Sequence, residues 1–406
     1  MAEQLQRWLN RTVWGMAFTS FLSDLGHEAQ STLLPSFMAA LGLPPAALGA
    51  VEGIADAAAS FMKLGAGWFS DRIGKRKGLV VFGYAATGLA SGFIALASGF
   101  PLILFGKFFG WLGRGVRGPL RDAILTDSIP ADARGRAFGF HRAGDTLGAI
   151  LGPALVVGLL AWGAKAGFPA MPWNRTLMLW TLVPGLLSAL AFALMVTERA
   201  RSKPKLLSFR HAIQQMPASF RGYLVGVGIF GAGDFAHTLL FLAATQLLSP
   251  RMGPVKAATF GAGLYVLHNI VYAFSTYPVG ALADRFRNHR KILGIGYVAG
   301  ISVPLLLIGC FVKGWHSLPL LALIFSIAGL VNGIQDTLEG ATTADLAPSD
   351  HRGLAFGLLG GVNGVGDLLS SLLVGALWTL HPAWGFGYAA ACMALGSVVT
   401  LKGAAR

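Results

Sequence analysis

The chain is predicted to be an all-α membrane protein with twelve transmembrane helices, built as two six-helix bundles related by a pseudo-two-fold axis. Composition, the spacing of apolar runs and an internal repeat all predict it. Of 406 residues, 54% are apolar and only 12% charged, and the mean hydropathy is +0.61, outside the range of water-soluble domains. A helix needs about 20 apolar residues to cross a bilayer. Twelve such runs are read at 13–40, 46–69, 78–98, 101–124, 136–162, 175–196, 222–248, 255–281, 292–312, 317–343, 354–379 and 384–402. The sequence D-S-I-P-A-D-A-R-G-R-A-F-G, from Asp127 to Gly139, returns as D-L-A-P-S-D-H-R-G-L-A-F-G, from Asp345 to Gly357. A repeat placed alike in two sets of six spans means two structural halves with a site between them near the midplane. The halves are placed at 1–196 and 222–406, joined by a basic linker, 197–221.

Each span has its own content. The first carries Asp24, His27 and Glu28 at i, i+3 and i+4, on one helix face. Those charges, with no small-residue cleavage site after them, argue against a cleaved signal peptide. The second span holds Glu52 and Asp56 one turn apart, then Lys63. It closes on G-W-F-S-D-R-I-G-K-R-K, from Gly67 to Lys77, which leads into an apolar third span. The fourth carries Lys107, an arginine stripe of Arg114, Arg117 and Arg121, and Asp122. The fifth contains Arg142, Asp145 and the ladder Gly139, Gly148, Gly152 and Pro153, whose small residues suit close helix packing.

After an apolar sixth span, the seventh repeats Asp24-x-x-His27 as Asp234-x-x-His237, again read as one helix face. The eighth sets Tyr265, His268 and Asn269 on a face and closes on G-A-L-A-D-R-F-R-N-H-R-K, from Gly280 to Lys291, a copy of the earlier loop. The ninth is apolar. The tenth presents a polar stripe of Asn332, Gln335, Asp336 and Glu339, and the eleventh holds Asp367. The repeat offset aligns Arg121 with Glu339 and Arg117 with Gln335, so these stripes are expected to face each other, with Arg121 and Glu339 paired as a gate. Cys310 and Cys392 lie in apolar helices as packing residues.

A net charge of +14 could suggest nucleic acid, but its distribution excludes that need. Of 32 Lys and Arg, 21 fall at the termini and on one set of alternating loops, against 5 on the opposite loops. This asymmetry follows the positive-inside rule, placing the chain in the cell (inner) membrane with both termini cytoplasmic. The basic residues of the linker suit an anionic leaflet. The remaining 6 bases sit inside spans, where a charge is costly and marks function. The second half embeds four acids and no Lys or Arg. Those acids must pair across the interface, hold a cation or become protonated.

Enzyme motifs are absent. His27-Glu28 is not followed by the second histidine of H-E-x-x-H, and neither G-x-S-x-G nor a phosphate-cradling G-x-x-x-x-G-K-S/T occurs. The repeated G-x-x-x-D-R-plus-basics loop resembles the signature loop of the major facilitator superfamily. The resemblance covers essentially the whole chain and implies that superfamily's fold. It further implies that Asp71 and Arg72 gate the cytoplasmic face, although the second copy has Arg287 where the pattern has glycine. Arg114-x-x-x-Gly118 resembles the superfamily's proton-coupling motif, and the fifth-span glycines resemble its antiporter motif. S-D-L-G-H-E, from Ser23, and R-G-V-R-G-P-L-R-D-A, from Arg114, resemble a bacterial branch largely without assigned substrates.

The leading expectation is a monomeric secondary transporter that exports a small polar or amphipathic molecule and draws on the proton gradient, with no cofactor. Its substrate or coupling residues are Asp24, His27, Glu28, Glu52, Asp56, Arg114, Arg117, Arg142, Asp145, Asp234, His237, Tyr265, His268, Asn269, Gln335 and Asp336. Its gate is Asp71, Arg72, Arg121 and Glu339. Two other readings stay open: a metal-ion or metal-chelate (siderophore) transporter, with Asp24 and His27 or Asp234 and His237 as ligands, and a transporter-like sensor or lipid scramblase.

Overall fold

A computed structural model describes residues 8–43, 47, 51, 55, 59, 62–70, 75–198, 213–235, 237–315, 317–378 and 380–404. Among them are long helices and no β-strand. In the first half these are α1 (Arg11–Ala40), the helical segment 62–70, α2 (Lys77–Ala95), α3 (Phe100–Ser128), α4 (Arg134–Lys165) and α5 (Ala170–Met195). The second half holds α6 (Ala218–Gly231), α7 (His237–Met252), α8 (Pro254–Phe286), α9 (His289–Gly300), α10 (Ser302–Lys313), α11 (Leu318–Leu346), α12 (Arg352–Trp378) and α13 (Pro382–Ala404). Seven helical stretches of the described residues are long and apolar enough to cross a membrane on those grounds alone. α6 and α7, of 14 and 16 residues, are each too short.

Local chemistry sets the ends. Asn10 Oδ1 accepts the N–H groups of Thr12 and Val13 at 2.9 and 3.1 Å, capping α1. Pro101 and Pro319 stand in the first turns of α3 and α11, where a missing N–H costs nothing. The single helices expected at 222–248 and 292–312 are each two. Between α9 and α10 the offset falls at Ile301, just ahead of Pro304, which cannot donate to the preceding turn. Between α6 and α7 the chain leaves the helix around Gly233 and Asp234, whose N–H groups turn back onto Phe230 O at 2.9 and 3.1 Å. Gly233 lies so close to α13 that a Cβ would meet Ala389 O at 2.5 Å. The freed carbonyl of Asp234 accepts from Ser370 Oγ at 2.8 Å, as an apolar surrounding demands.

The chain forms two compact units. One comprises Met1–Ala131, Phe140–Ile213 and Pro348–Gly360; the other comprises Asp132–Gly139, Gln214–Ala347 and Gly361–Arg406. Each therefore contains a short segment from the opposite half of the sequence. In the first unit α1 packs on α5, and α2 lies between α3 and α5. Its apolar core includes Leu33, Leu34, Phe37, Ile94, Ile103 and Met178. In the second, α8 packs on α11, α6 on α13, and α9 on both α11 and α13. Its core gathers around Phe325, Phe386, Leu307 and Leu321.

The α4 glycines lay that helix directly on α1. A Cβ at Gly144 or Gly152 would meet Ala17 O or Leu25 O at 2.6 Å, and one at Gly148 would overlap Phe21 O. These contacts fix α1 on either side of Asp24. Gly148→Val is expected to destabilise the protein by roughly 1–3 kcal/mol through overpacking, read as earlier thermal unfolding of the purified protein. Gly158→Val, where a Cβ meets nothing within 4 Å, should leave the transition where it is.

Candidate functional site

In the first unit, charge gathers where α1 meets α3. Asp24 is 4% exposed, and its Oδ1 lies 3.6 Å from Arg114 Nη2 and 3.7 Å from Arg117 Nη2. Both distances exceed a hydrogen bond, and Oδ1 accepts none. The arginines are held elsewhere. Arg117 donates to Ser23 Oγ at 2.5 Å and stacks 4.1 Å from the Tyr84 ring. Arg114 lies 5.3 Å from the Trp111 ring, which also meets His27 edge-on at 5.5 Å. Lys107, 1% exposed, donates to Ser31 Oγ at 3.2 Å on the same side. One turn along α3, Arg121 donates to Asp122 Oδ1 at 3.0 Å and to Ser20 Oγ at 3.3 Å. On α4, Arg142 donates to Asp145 at 3.3 Å. Glu28 shares the α1 face with Asp24. Glu52, Asp56, Asp71 and Arg72, and the linker between 198 and 213, lie outside the described residues.

The second unit gathers imidazoles, amides and phenols around its acids. Asn332 Nδ2 donates to His237 Nε2 at 2.9 Å and lies 3.4 Å from His268 Nε2, while His268 Nδ1 meets Asn269 Oδ1 at 3.1 Å. The two imidazoles stand 4.8 Å apart, and Tyr265 stacks on His268 at 5.7 Å. Tyr272 donates to Asp336. Asp234 is not on a helix face with His237, as the D-x-x-H spacing implies for a continuous helix. It sits in the break before α7, where Gln335 donates to its carboxylate and Asp367 and Asp336 are neighbouring like charges. Among the described residues no three His, Cys, Asp or Glu gather as ligands for one ion. Glu339, 3% exposed, accepts from Tyr297 Oη at 2.5 Å and Asn363 Nδ2 at 2.6 Å. Arg121 and Glu339, aligned by the repeat, are thus each engaged within their own unit.

A third cluster lies at the end that carries the basic loops, and it is duplicated. Asp127 accepts from Arg76 at 3.0 Å and from Arg352. Asp345 accepts from Arg134 at 2.6 Å and from His289 Nδ1 at 2.6 Å. Arg76 and His289 hold the same place in the loop repeat, as Arg134 and Arg352 do in the other repeat. Each clasp joins a residue of one sequence half to a residue of the other. Asp284, the counterpart of Asp71, accepts from the N–H groups of Gly135 and Arg136, from Arg136 Nε and from His289 Nε2, all at 2.8–2.9 Å.

A helical membrane protein with charge buried in its spans and duplicated clasps at one end is built as a transporter, and sequence comparison names the class. The Major Facilitator Superfamily profile matches residues 16–247 and 224–403, and the chain belongs to that family of transporters. It is 27% identical over 395 residues to an uncharacterised MFS-type transporter of Methanocaldococcus jannaschii, covering 97% of this chain and 95% of that one. It is 21% identical over 386 residues to the quinolone resistance protein NorA of Staphylococcus aureus, covering 92% and 91%. In fold it matches the fucose:proton symporter FucP of E. coli with a TM-score of 0.76 at 14% identity, covering 98% and 99%. The chain is a multi-pass membrane transporter and not an enzyme.

Sequence reasoning singled out the charged residues of the first two clusters, but not Arg76, Arg134, Asp284, His289 and Arg352 of the third, and it passed over the neutral partners Trp111, Tyr84, Tyr272, Tyr297 and Asn363. One signal could have found two of them, because Tyr84 and Tyr297 are equivalent under the offset that aligns Gly67 with Gly280. Asp284 holds the second clasp together. Replacing it, as Asp284→Asn, breaks a buried charged network by one partner and should cost about 3–5 kcal/mol, seen as a lowered unfolding temperature. Asp350→Asn, at an exposed position, should leave that temperature unmoved.

Proposed function

We propose that the protein is a proton-coupled secondary transporter that works by alternating access and exports a small polar or amphipathic molecule. The arrangement of Asp24 carries this reading. A buried carboxylate with two guanidiniums just beyond bonding range is held by Coulomb attraction alone. A shift of α3 by an ångström changes that attraction steeply in a low-dielectric site, and with it the readiness of Asp24 to bind a proton. Motion is thereby tied to protonation, which is what coupling requires. Export is supported by the likeness to a quinolone resistance protein, and proton use by the fold shared with a fucose:proton symporter.

In this reading Asp24, His27, Glu28, Arg114, Arg117, Arg142 and Asp145 serve the first half, with Glu52 and Asp56. Asp234, His237, Tyr265, His268, Asn269, Gln335 and Asp336 serve the second. Trp111, between two cations and an imidazole, suits an aromatic or amphipathic cargo. The gate is the pair of clasps at Asp127 and Asp345, with Asp71 and Arg72. The loops that carry it hold most of the basic residues and face the cytosol of the cell (inner) membrane, as do both termini. The halves 1–196 and 222–406 move about the linker 197–221, and one chain suffices.

Vesicles containing the reconstituted protein and a trapped pH-sensitive dye, given a quinolone, fucose or an organic cation under an imposed pH gradient, test this. The wild type should move protons against at least one of these compounds. Asp24→Asn should express normally yet fall to the level of empty vesicles in gradient-driven flux. Full gradient-driven flux in Asp24→Asn would remove that residue from the mechanism.

A further inference from the structure

We propose that Glu339 is a second proton-binding site of this transporter, built within the second unit and loaded independently of Asp24. The proposal rests on the proton-coupled reading above and assigns it a particular carboxyl group.

Four helices enclose that group. Tyr297 from α9 and Asn363 from α12 reach the two carboxyl oxygens at 2.5 and 2.6 Å. From α6 the Tyr223 hydroxyl donates to the Glu339 backbone carbonyl at 3.0 Å. No Lys, Arg or His nitrogen among the described residues lies within 4 Å of the carboxylate. Among the described residues Arg290 on α9 lies beside Tyr223, 6.0 Å from its ring, but its guanidinium is taken by the carbonyls of Thr400 and Ser219, at 3.1 and 3.2 Å. Lys63 packs on α12 at Gly360, one turn from Asn363. The other charges that act on Glu339 are acids: Asp336 one turn away on α11, and Asp234. A carboxylate so placed has neutral donors and like charges for company, and a lone charge out of water is neutralised by taking up a proton.

The geometry suits both states. Asn363 Nδ2 can only donate, so Oε2 must accept in either form and the proton belongs on Oε1. There the neighbour is a hydroxyl, which donates to the anion and accepts from the acid. When the cluster admits water, the Oε1–H bond breaks, its electron pair stays on the carboxylate and the proton passes to water. No other part need rearrange. The repeat sharpens the contrast: at the equivalent place the first unit has Arg121 beside Asp122 and Ser20, a fixed charge where Glu339 is a titratable one.

Infrared difference spectra of the purified full-length protein, taken across a pH titration, read this without a substrate. A protonated-carboxyl band should be present at neutral pH, disappear on alkaline titration and be missing in Glu339→Gln. In Tyr297→Phe the anion loses a donor, so the band should shift in frequency and persist to higher pH. A purely structural glutamate would keep no such band. Absence of the band in the wild type, or its survival in Glu339→Gln, overturns the proposal; should Glu339→Gln misfold, an unmoved band in Tyr297→Phe overturns it instead. Transport is scored separately in the dye-loaded vesicles. A wild type that titrates at Glu339 but moves no protons against any compound refutes the coupled-transport reading and leaves the proton site standing.

Discussion

Hydrocarbon offers no hydrogen bonds, so every polar group the chain carries into the bilayer must be answered by another part of the chain. That constraint organises the interior. Arg117 and Arg121, 2% and 6% exposed, are held by Ser23, Ser20, Asp122 and the Tyr84 ring. Where the helix fails between α6 and α7, Ser370 takes up the liberated carbonyl. The glycines of α4 let backbone meet backbone against α1, bringing the polar groups of neighbouring helices within reach. Little of this adds net stability, since buried ion pairs roughly repay their desolvation. It does fix which groups meet.

The internal repeat supplies two copies of one framework and the sequence has filled them differently. Tyr84 and Tyr297 occupy equivalent places. The first looks onto a guanidinium at 4.1 Å and the second onto a carboxyl group at 2.5 Å. Arg76 and His289 are likewise equivalent, each answering an aspartate across the clasp. Within its spans the first unit sets acids beside arginines, whereas the second sets its acids among imidazoles, phenols and amides. Duplication followed by divergence keeps the packing and changes the chemistry held in it.

Helix positions were largely legible in the sequence, because a span is a long apolar run and little else. The runs read at 101–124 and 317–343 became Phe100–Ser128 and Leu318–Leu346, longer because their ends carry polar turns. The break at Asp234 was not legible. It coincides with the close approach of Gly233 to Ala389, a tertiary contact to which apolar periodicity is blind, and the histidine and aspartate read as one face are separated. The charged members of the site stood out against an apolar background. Their partners did not, because tyrosine, tryptophan and asparagine are unremarked in membrane helices until one knows what they touch. The repeat aligned Arg121 with Glu339, yet equivalence of position does not fix a partner: Arg121 meets Asp122 on its own helix and Ser20 on α1, and Glu339 meets Tyr297 on α9.

The exchange of segments between units bears on how the chain is made. The first unit includes Pro348–Gly360, so it cannot be complete until the ribosome has synthesised most of the polypeptide. Domains generally fold as units, the N-terminal one first during synthesis, but here the earliest helices must wait in the membrane with Asp127 lacking Arg352 and Gly67 lacking the backbone around Gly353. The first unit is therefore completed only when the start of α12 has been made, late in synthesis.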